Sequence, residues 1–259
     1  MLNLAPTDRE KLSASINPLI DAALQAENAK QERRNYLGGS RLGEECMRRL
    51  WFEHNAPDKA APFPGRILRR FRLGHMHEDE TAQWLRLAGF DLHTRDFAGE
   101  QMGFRLEDAP IGGHVDGVIH AGPASLPYPL LWEHKIMNAS SWAKFDKDGV
   151  AVSHPVYHAQ CVVYSDRLGL GHTLFTALNS NTSELRFELV ANDAGKARAL
   201  IEKGKRITSS RTEQDVPRVA TVETDFRCRM CSFAAHCWRA EAAPVAPKMP
   251  SVLPSWVKR

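Results

Sequence analysis

Three residues in the middle of the chain carry the strongest chemical signal. Asp116 lies in the segment Gly-His-Val-Asp-Gly, and Glu133 and Lys135 follow it in the triplet Glu-His-Lys. Side chains alternate along a strand, so Glu133 and Lys135 share one face. Two carboxylates at one point can bind a hard divalent cation through oxygen ligands. A lysine beside them can orient or deprotonate a water that attacks a phosphate.

The segments around these charges are apolar. The flanking residues are Val115, Val118, Ile119, Leu130, Leu131, Trp132 and Ile136. A charge inside a buried strand costs free energy unless it is paired or has a role. Exposed carboxylates beside a solvated lysine are the alternative, and the apolar surroundings favour a functional cluster.

A pair of strands is expected to position the charges. Short segments broken by Gly and Pro predict strands over 114–120 and 130–137, joined by a turn-rich connection. On adjacent strands, Asp116 and Glu133 would meet at one end of a hairpin.

Helices are predicted on both sides of these strands. Periodic apolar residues predict an N-terminal helix over 7–30 and a long amphipathic helix over 66–87. Ser40 is expected to cap a short helix that runs through Cys46. Another helix is predicted within 142–168, at least from Pro155 onward.

Composition sets the class of protein. The chain has 259 residues, of which 43% are hydrophobic and 25% charged, as expected of a globular chain of one domain with extensions or of two small domains. No apolar run approaches the length of a membrane span, and the first residues lack a signal-peptide core. We therefore expect a cytoplasmic protein without a membrane partner.

Positive charge is concentrated in one region. The net charge is +3, from 34 basic and 31 acidic residues, yet the segment from Lys30 to Arg72 holds eleven Lys or Arg against five Asp or Glu. We expect sequence-independent contacts to DNA phosphates from Arg66, Arg69, Arg70 and Arg72. Nearby aromatic residues, namely Trp51, Phe63, Phe71 and Trp142, could stack on bases of single-stranded or frayed DNA. A solvated helix face paired with neighbouring glutamates is the alternative.

Five cysteines form the second set of chemically distinctive residues. Cys228, Cys231 and Cys237 lie close together in sequence, and Cys46 lies far upstream. Four soft ligands suit an iron–sulfur cluster or zinc, whereas a zinc site of the three late cysteines with His236 is the alternative. Cys161 remains, and we expect it to be a small buried hydrophobic residue.

Two motifs resemble those of a known family. Asp116 with Glu133-His134-Lys135 resembles the D…E-x-K core of the PD-(D/E)XK nuclease superfamily. Gln160-x-x-x-Tyr164 is similar to the Q-x-x-x-Y motif of the branch that contains the RecB and AddB nuclease domains and the CRISPR-associated adaptation exonucleases.

The resemblance implies roles for these residues. A residue four positions after a glycine in the preceding helix would complete the metal site, and by that spacing after Gly74 it is Glu78, with His75 and His77 as second choices. The implied ligands of Mg²⁺ or Mn²⁺ are Glu78, Asp116, Glu133 and the backbone carbonyl of His134. Lys135 would position the water. Gln160 and Tyr164 would order the site and the substrate, with both side chains able to reach the DNA backbone.

A cofactor and a fold are implied as well. In the iron–sulfur branch, one cysteine before the nuclease core and three after it hold a [4Fe–4S] cluster, which matches Cys46, Cys228, Cys231 and Cys237. The implied fold is an α/β restriction-endonuclease-like core, a mixed sheet flanked by helices, with a C-terminal cysteine-cluster strap. We expect a helical N-terminal arm over 1–39, the nuclease domain over 40–240 and a Pro-rich disordered tail over 241–259.

The implied activity is metal-dependent hydrolysis of DNA, most simply by an exonuclease in recombination, repair or phage DNA metabolism. A structure-specific endonuclease of the same fold and a non-catalytic DNA-binding subunit are the alternatives. The chain has no Gly-x-x-x-x-Gly-Lys-Ser/Thr motif. Any unwinding would therefore come from the substrate's ends or from a partner such as a helicase or a single-strand annealing protein.

Overall fold

The computed structural model describes residues 6–239. The predicted tail over 241–259 lies outside the described residues. In chain order the elements are α1 (Pro6–Asn28), β1 (Leu37–Gly38), α2 (Met47–Asn55), α3 (Gly65–Leu87), β2 (Asp91–His93), β3 (Gly103–Arg105), β4 (Ile111–His114), β5 (Gly117–Ala121), β6 (Leu130–Met137), α4 (Ala139–Ser153), α5 (Pro155–Arg167), β7 (His172–Asn179), β8 (Leu185–Ala191), α6 (Ala194–Ser209), α7 (Phe226–Arg229) and α8 (Ala234–Arg239).

A mixed five-stranded sheet organises the molecule. Its strand order is β2-β5-β6-β7-β8, with β6 and β7 parallel and the other neighbours antiparallel. A smaller sheet of order β1-β4-β3 lies beside it. Helices pack on the large sheet, which confirms the predicted fold class of a mixed sheet flanked by helices.

Side-chain alternation along β6 divides the core between two helical layers. Leu130 and Trp132 pack with Ala82 and Leu85 of α3. Phe175, beside Glu133 in the β6–β7 register, packs instead with Cys161 of α5. Because β6 has a paired neighbour on each side, its register is fixed from both edges.

The predicted strand over 114–120 is confirmed from Gly117 onward, where it pairs with β6, but its first residues are wrong because the chain changes sheets there. β4 ends at His114 in the small sheet and β5 begins at Gly117 in the large one. The amide of Val115 donates to the carbonyl of Met102 at 2.9 Å, and the Asp116 carboxylate accepts from the amide of His134 at 2.8 Å. A side-chain oxygen therefore takes the place of a backbone acceptor at this point.

The helix predicted from Ser40 also begins later than expected. Residues Gly39–Arg41 form a separate 3-10 turn, and α2 begins after Cys46. The Cys46 sulfur accepts from the amide of Arg49 at 3.4 Å, so a thiol serves as the N-terminal cap.

The N-terminal helix α1 packs along α3. Its contacts are polar: Asp21 pairs with Arg69, and Glu27 pairs with Arg72 at 2.6 Å. The side chain of Gln25 donates to the carbonyl of Phe63 at 2.9 Å. The predicted helices over 7–30 and 66–87 are confirmed to within two residues at each end. Within residues 6–239, no helix is both long and apolar enough to cross a membrane.

Candidate active site

Four charged side chains converge where β5 and β6 begin to pair. We call Glu78, Asp116, Glu133 and Lys135 the acidic cluster. β5 and β6 pair Gly117 with Trp132, which brings the preceding Asp116 beside Glu133. The Lys135 ammonium contacts the Glu133 carboxylate and lies 3.9 Å from Oδ2 of Asp116. The predicted convergence of Asp116 with the Glu-His-Lys triplet is therefore present in the structure.

Glu133 is the most deeply placed member of the cluster. Its side chain is fully buried, and its Oε2 atom has no hydrogen-bond partner among residues 6–239. Burial, with the nearby Asp116 carboxylate, raises the pKa of Glu133 to about 8. A buried oxygen without a partner is costly, because it has lost its water without gaining a donor. It is the atom of the cluster most in need of a further positive ligand.

Glu78 reaches the cluster from α3. Its pKa is raised to about 7, first by burial and then by the Asp116 carboxylate. Its partly buried side chain and its interaction with Asp116 make it the residue that α3 contributes. His75 points to solvent, with its ring nitrogen 3.9 Å from Glu78. His77 instead faces toward His134 and helps to lower the pKa of that residue.

Lys135 keeps its proton in this environment. Burial alone would lower the pKa of Lys135, but the carboxylates of Glu133 and Asp116 raise it well above its ordinary value. The side chain is therefore a hydrogen-bond donor and a positive charge. It is suited to orienting a water or stabilising a developing negative charge, and not to removing a proton.

The donor set of the acidic cluster fits a hard divalent cation. When all three carboxylates are ionised, the cluster with its lysine carries a charge of −2, and all its free ligand atoms are oxygens, which Mg²⁺ and Mn²⁺ prefer. In the present arrangement, no group of three or more His, Cys, Asp or Glu side chains in the described chain could hold a metal ion. The Lys135 ammonium bridges two of the carboxylates instead.

The backbone and the ring of His134 make different contacts. The backbone amide binds Asp116, as described above, while the ring lies against Trp132 at a centroid distance of 5.8 Å and approaches Thr81 at 3.5 Å. Burial, with Lys135 and His77, lowers the pKa of His134 to about 3. The imidazole is therefore neutral, and its role in the sheet is packing. Metal binding by the backbone carbonyl stays a prediction.

Gln160 and Tyr164 lie on the buried side of α5. Their exposed fractions are 7% and 2%. The Tyr164 ring packs edge-on against Phe104 at 5.4 Å, and its hydroxyl interacts with Ser40. Burial raises the pKa of Tyr164. Direct contact of Tyr164 with a DNA backbone, expected from the motif, is not possible in this packing, and a part in ordering the site stays a prediction.

Tyr157 is a site residue that the motifs did not identify. Its ring centroid lies 5.6 Å from the Lys135 ammonium, and the ring stacks on His154 at 5.4 Å with an interplanar angle of 6°. Both ring nitrogens of His154 form hydrogen bonds, one with the hydroxyl of Ser141 at 2.6 Å and one with the hydroxyl of Ser153 at 2.8 Å. The signal in the sequence was present, because Tyr157 and Gln160 are three residues apart on one helix.

A groove of about 580 Å³ opens beside the acidic cluster. Glu78, Lys135 and Tyr157 line it together with residues of α1 and other residues of α3. Among the four arginines predicted to bind DNA, Arg70 and Arg72 line this groove, whereas Arg66 and Arg69 do not. DNA binding by these arginines stays a prediction.

The four predicted ligand cysteines come together at a second place. Cys46, Cys228, Cys231 and Cys237, which we call the cysteine cluster, line a largely apolar cavity of about 200 Å³ with Phe52 and Phe233. Burial raises the pKa of Cys228 and of Cys231, and the neighbouring Cys46 and Cys237 raise both further.

Two of these sulfurs accept hydrogen bonds from groups outside the cysteine cluster. Cys237 accepts from Arg218 at 3.2 Å, and Cys46 caps α2. The four thiols share a cavity. Among residues 6–239, however, their sulfurs are not arranged as a group that could hold a metal ion. Cys161 lies apart from them, fully buried among apolar residues of the α5 layer, as predicted.

Comparisons with known proteins give distant structural likenesses. No family model matches the chain, and no curated protein matches its sequence. The crystal structure of SSO0001 is similar at a TM-score of 0.49 and 12% identity, over 86% of this chain and 96% of that one. LHK-Exo, an alkaline exonuclease from Laribacter hongkongensis, is similar at 0.46 and 14% identity, over 68% and 87%. LHK-Exo in complex with dAMP gives 0.46 and 12% over the same shares. The function has to be argued from the site.

Proposed function

We propose that this protein is a metal-dependent nuclease that hydrolyses phosphodiester bonds of DNA, acting as an exonuclease. The observation that carries the proposal is the acidic cluster with its unpartnered Glu133 oxygen. Three carboxylates and one lysine are held together at the end of a groove lined by arginines. Structural ion-pair networks end in paired charges, whereas this one leaves a buried oxygen free for a further ligand.

The residues of the cluster divide the work. Glu78, Asp116 and Glu133 would hold Mg²⁺ or Mn²⁺, with the backbone carbonyl of His134. When bound, the cation lowers the pKa of a coordinated water and neutralises charge on the phosphate. Lys135 keeps its proton, so it orients the attacking water and stabilises the negative charge that develops on the phosphate oxygens. Tyr157 holds the lysine side chain through the face of its ring.

Substrate binding is proposed to follow the groove. Arg70 and Arg72 would contact phosphates without reading bases, which gives sequence-independent binding. A helicase or a single-strand annealing protein is the kind of partner that would supply unpaired ends.

The cysteine cluster is proposed to hold a [4Fe–4S] cluster. Four thiols around one apolar cavity are the soft donor set that such a cluster takes, and zinc is the alternative. Its part is structural, because it would join α2 to the segment that contains α7 and α8. Anaerobically purified protein with brown colour and bound iron and sulfide is the expected result. Colourless protein with one zinc per chain would replace the cluster by zinc and leave the nuclease proposal unchanged.

Cleavage of labelled DNA tests the activity. End-labelled linear DNA and closed circular DNA are incubated with Mg²⁺ or Mn²⁺ and with the wild-type protein, Lys135→Ala, or the surface control Lys147→Ala. We expect degradation of the linear DNA alone by wild type and by the control, and a loss of about 10²–10³-fold in Lys135→Ala. Cutting of the circle would identify an endonuclease, and full activity of Lys135→Ala would overturn the site.

A further inference from the structure

One face of α3 runs from the acidic cluster to an aromatic pair. Phe71, Gly74 and Glu78 are spaced three and four residues apart, so their positions fall on one helix face. All three line the groove. At a rise of about 1.5 Å per residue, Phe71 and Glu78 are separated by about 10 Å along the helix axis.

Gly74 leaves the middle of this face open. Among residues 6–239, no heavy atom outside its own helix turn lies within 4 Å of the place where a Cβ would stand. The glycine is therefore not required by close packing or by an unusual backbone angle. In a helix interior, glycine lowers helix stability by about 1 kcal/mol relative to alanine. The absence of a side chain at Gly74 keeps the groove open, and we infer that this is why glycine is present.

The far end of the groove is aromatic and accessible. Phe63 and Phe71 meet edge to face at 5.3 Å, and they are 47% and 48% exposed. The hydrogen bond from Gln25 to the carbonyl of Phe63 holds this segment in place. The two rings stand almost perpendicular, at an interplanar angle of 84°, so each half-exposed ring can offer its own face to a base in the groove.

Charge beside the aromatic pair suits a phosphate chain. Arg34 and Arg70 line the same groove, and neither forms an ion pair with a carboxylate in the part of the chain that the structure describes. Basic groups that follow a strand, interleaved with aromatic rings, are the combination that binds unpaired nucleic acid.

We propose that the Phe63–Phe71 pair is a nucleobase subsite, which stacks on an unpaired base while its strand crosses the open backbone at Gly74 to reach Glu78. The inference rests on the proposed nuclease function. Successive nucleotides of a stacked strand rise by about 3.4 Å, so the stacked base lies about three nucleotides from the phosphate at the acidic cluster. A fully paired end cannot offer that base, and the groove therefore selects ends with an unpaired overhang.

Binding without turnover tests the subsite. A fluorescein-labelled single-stranded 12-mer is titrated, in EDTA, with wild type, with Phe71→Ala and with Phe97→Ala, a control at a fully exposed phenylalanine outside the groove. We expect Phe71→Ala to weaken binding by about tenfold and the control to leave it unchanged. Equal affinities of the two variants would overturn the subsite.

An abasic site moved along the oligonucleotide locates the stacked base. We expect the largest loss of wild-type affinity when the missing base is about three nucleotides from the bound end, and no such maximum with Phe71→Ala. Uniform affinity at all positions would overturn the proposed stacking. DNA cleavage in Mg²⁺, measured in parallel, distinguishes the two proposals, because the subsite can fail while cleavage persists and cleavage can fail while the binding pattern persists.

The open backbone at Gly74 gives a second test that folding defects cannot imitate. Gly74→Leu should raise the thermal midpoint, because leucine favours a helix, and should weaken oligonucleotide binding by about tenfold by filling the groove. Gly74→Ala should raise the midpoint and keep the affinity, because a lone methyl group meets no neighbour. Undiminished binding by Gly74→Leu would overturn the path of the strand.

Discussion

The acidic cluster and the cysteine cluster are assembled in different ways. The first joins α3 to two neighbouring strand segments between residues 78 and 135, and it buries like charges together. The second joins Cys46 to three cysteines beyond residue 227 around a largely apolar cavity. Buried like charges lower the stability of the fold that holds them, whereas a link between distant segments raises it. Under the proposed function, the first cluster would carry out the chemistry and the second would stabilise the fold.

The substitution Glu133→Gln should separate activity from stability. The amide keeps the shape of the side chain but removes the charge, so we expect DNA cleavage to fall by about 10²–10⁴-fold. In EDTA above about pH 8 the variant should unfold at a higher temperature than wild type, because it has no carboxyl group whose pKa is raised by burial and which must ionise inside the fold. Cleavage assays and thermal scans of one preparation measure both. A variant that is inactive and also less stable in EDTA would break the contrast.

The substitution Cys231→Ser should do the reverse. If the cysteine cluster holds a metal group, losing one ligand should lower the thermal midpoint by about 10 °C, since each kcal/mol corresponds to about 2–4 °C for a chain of this size. Cleavage measured well below the midpoint should stay close to that of wild type. Cys161→Ala is the matched control, because it removes a buried thiol outside the cluster and should leave the metal content unchanged. Equal metal content in Cys231→Ser would contradict the assignment.

The two clusters should also differ in how pH affects stability. The raised pKa values of Glu78 and Glu133, about 7 and about 8, mean that the folded state holds protons which the unfolded state has released. In EDTA, the contribution of these two carboxyl groups to stability should therefore be fully present below about pH 4.5 and be lost as pH rises to about 8. Burial raises the pKa values of Cys228 and Cys231 above the ordinary thiol value, so these two thiols add nothing to this slope.

Urea unfolding at several pH values measures this effect. Saturating Mg²⁺ should flatten the decline, because it stabilises the ionised carboxylates of the folded state. Glu133→Gln should reduce the slope in EDTA. An unchanged slope in that variant would show that the charge of Glu133 is not its source.

The smallest expected effect concerns the ion pairs between α1 and α3. Asp21 and Glu27 form ion pairs with the guanidinium groups of Arg69 and Arg72, and all four side chains are partly exposed. Exposed pairs are weak, contributing about 0–1 kcal/mol each. The double substitution Asp21→Asn and Glu27→Gln should raise oligonucleotide affinity by about two- to fivefold at low salt, with Glu10→Gln as the control. A loss of affinity would show that α1 supports the groove and does not compete with DNA.

Local rules in the sequence predicted three members of the acidic cluster, whereas Glu78 was implied by the family resemblance alone. Alternation placed Glu133 and Lys135 on one face, and the glycine-flanked Asp116 fell opposite them in a hairpin. The break between β4 and β5 was not predictable from these rules. It depends on a side-chain oxygen of Asp116 that accepts the His134 amide, and alternation carries no information on which acceptor an amide uses.

Other features required the packed structure. The approach of Tyr157 to Lys135 depends on how α5 lies on β6, which helix periodicity does not specify. The beginning of α2 was missed because a thiol is not among the common N-terminal caps. Counting charges gave the positive net charge of the region from Lys30 to Arg72. It could not show that Arg69 and Arg72 form ion pairs with α1, because those are tertiary contacts between two helices.

The fixed register of β6 has a consequence for how this chain can change in length. Asp116, Glu133 and Lys135 depend on a strand that pairs with β5 up to Trp132 and with β7 from Leu131 to Met137. Adding or deleting one residue inside β6 would turn Glu133 and Lys135 to the opposite face and bring Trp132 or His134 into their place. The connection between β5 and β6 lies outside that register, and apart from Leu126 and Tyr128, which pack against the core, it can gain or lose residues. Variation in chain length should therefore accumulate in the connection and be absent from the strand, whatever substitutions the strand accepts.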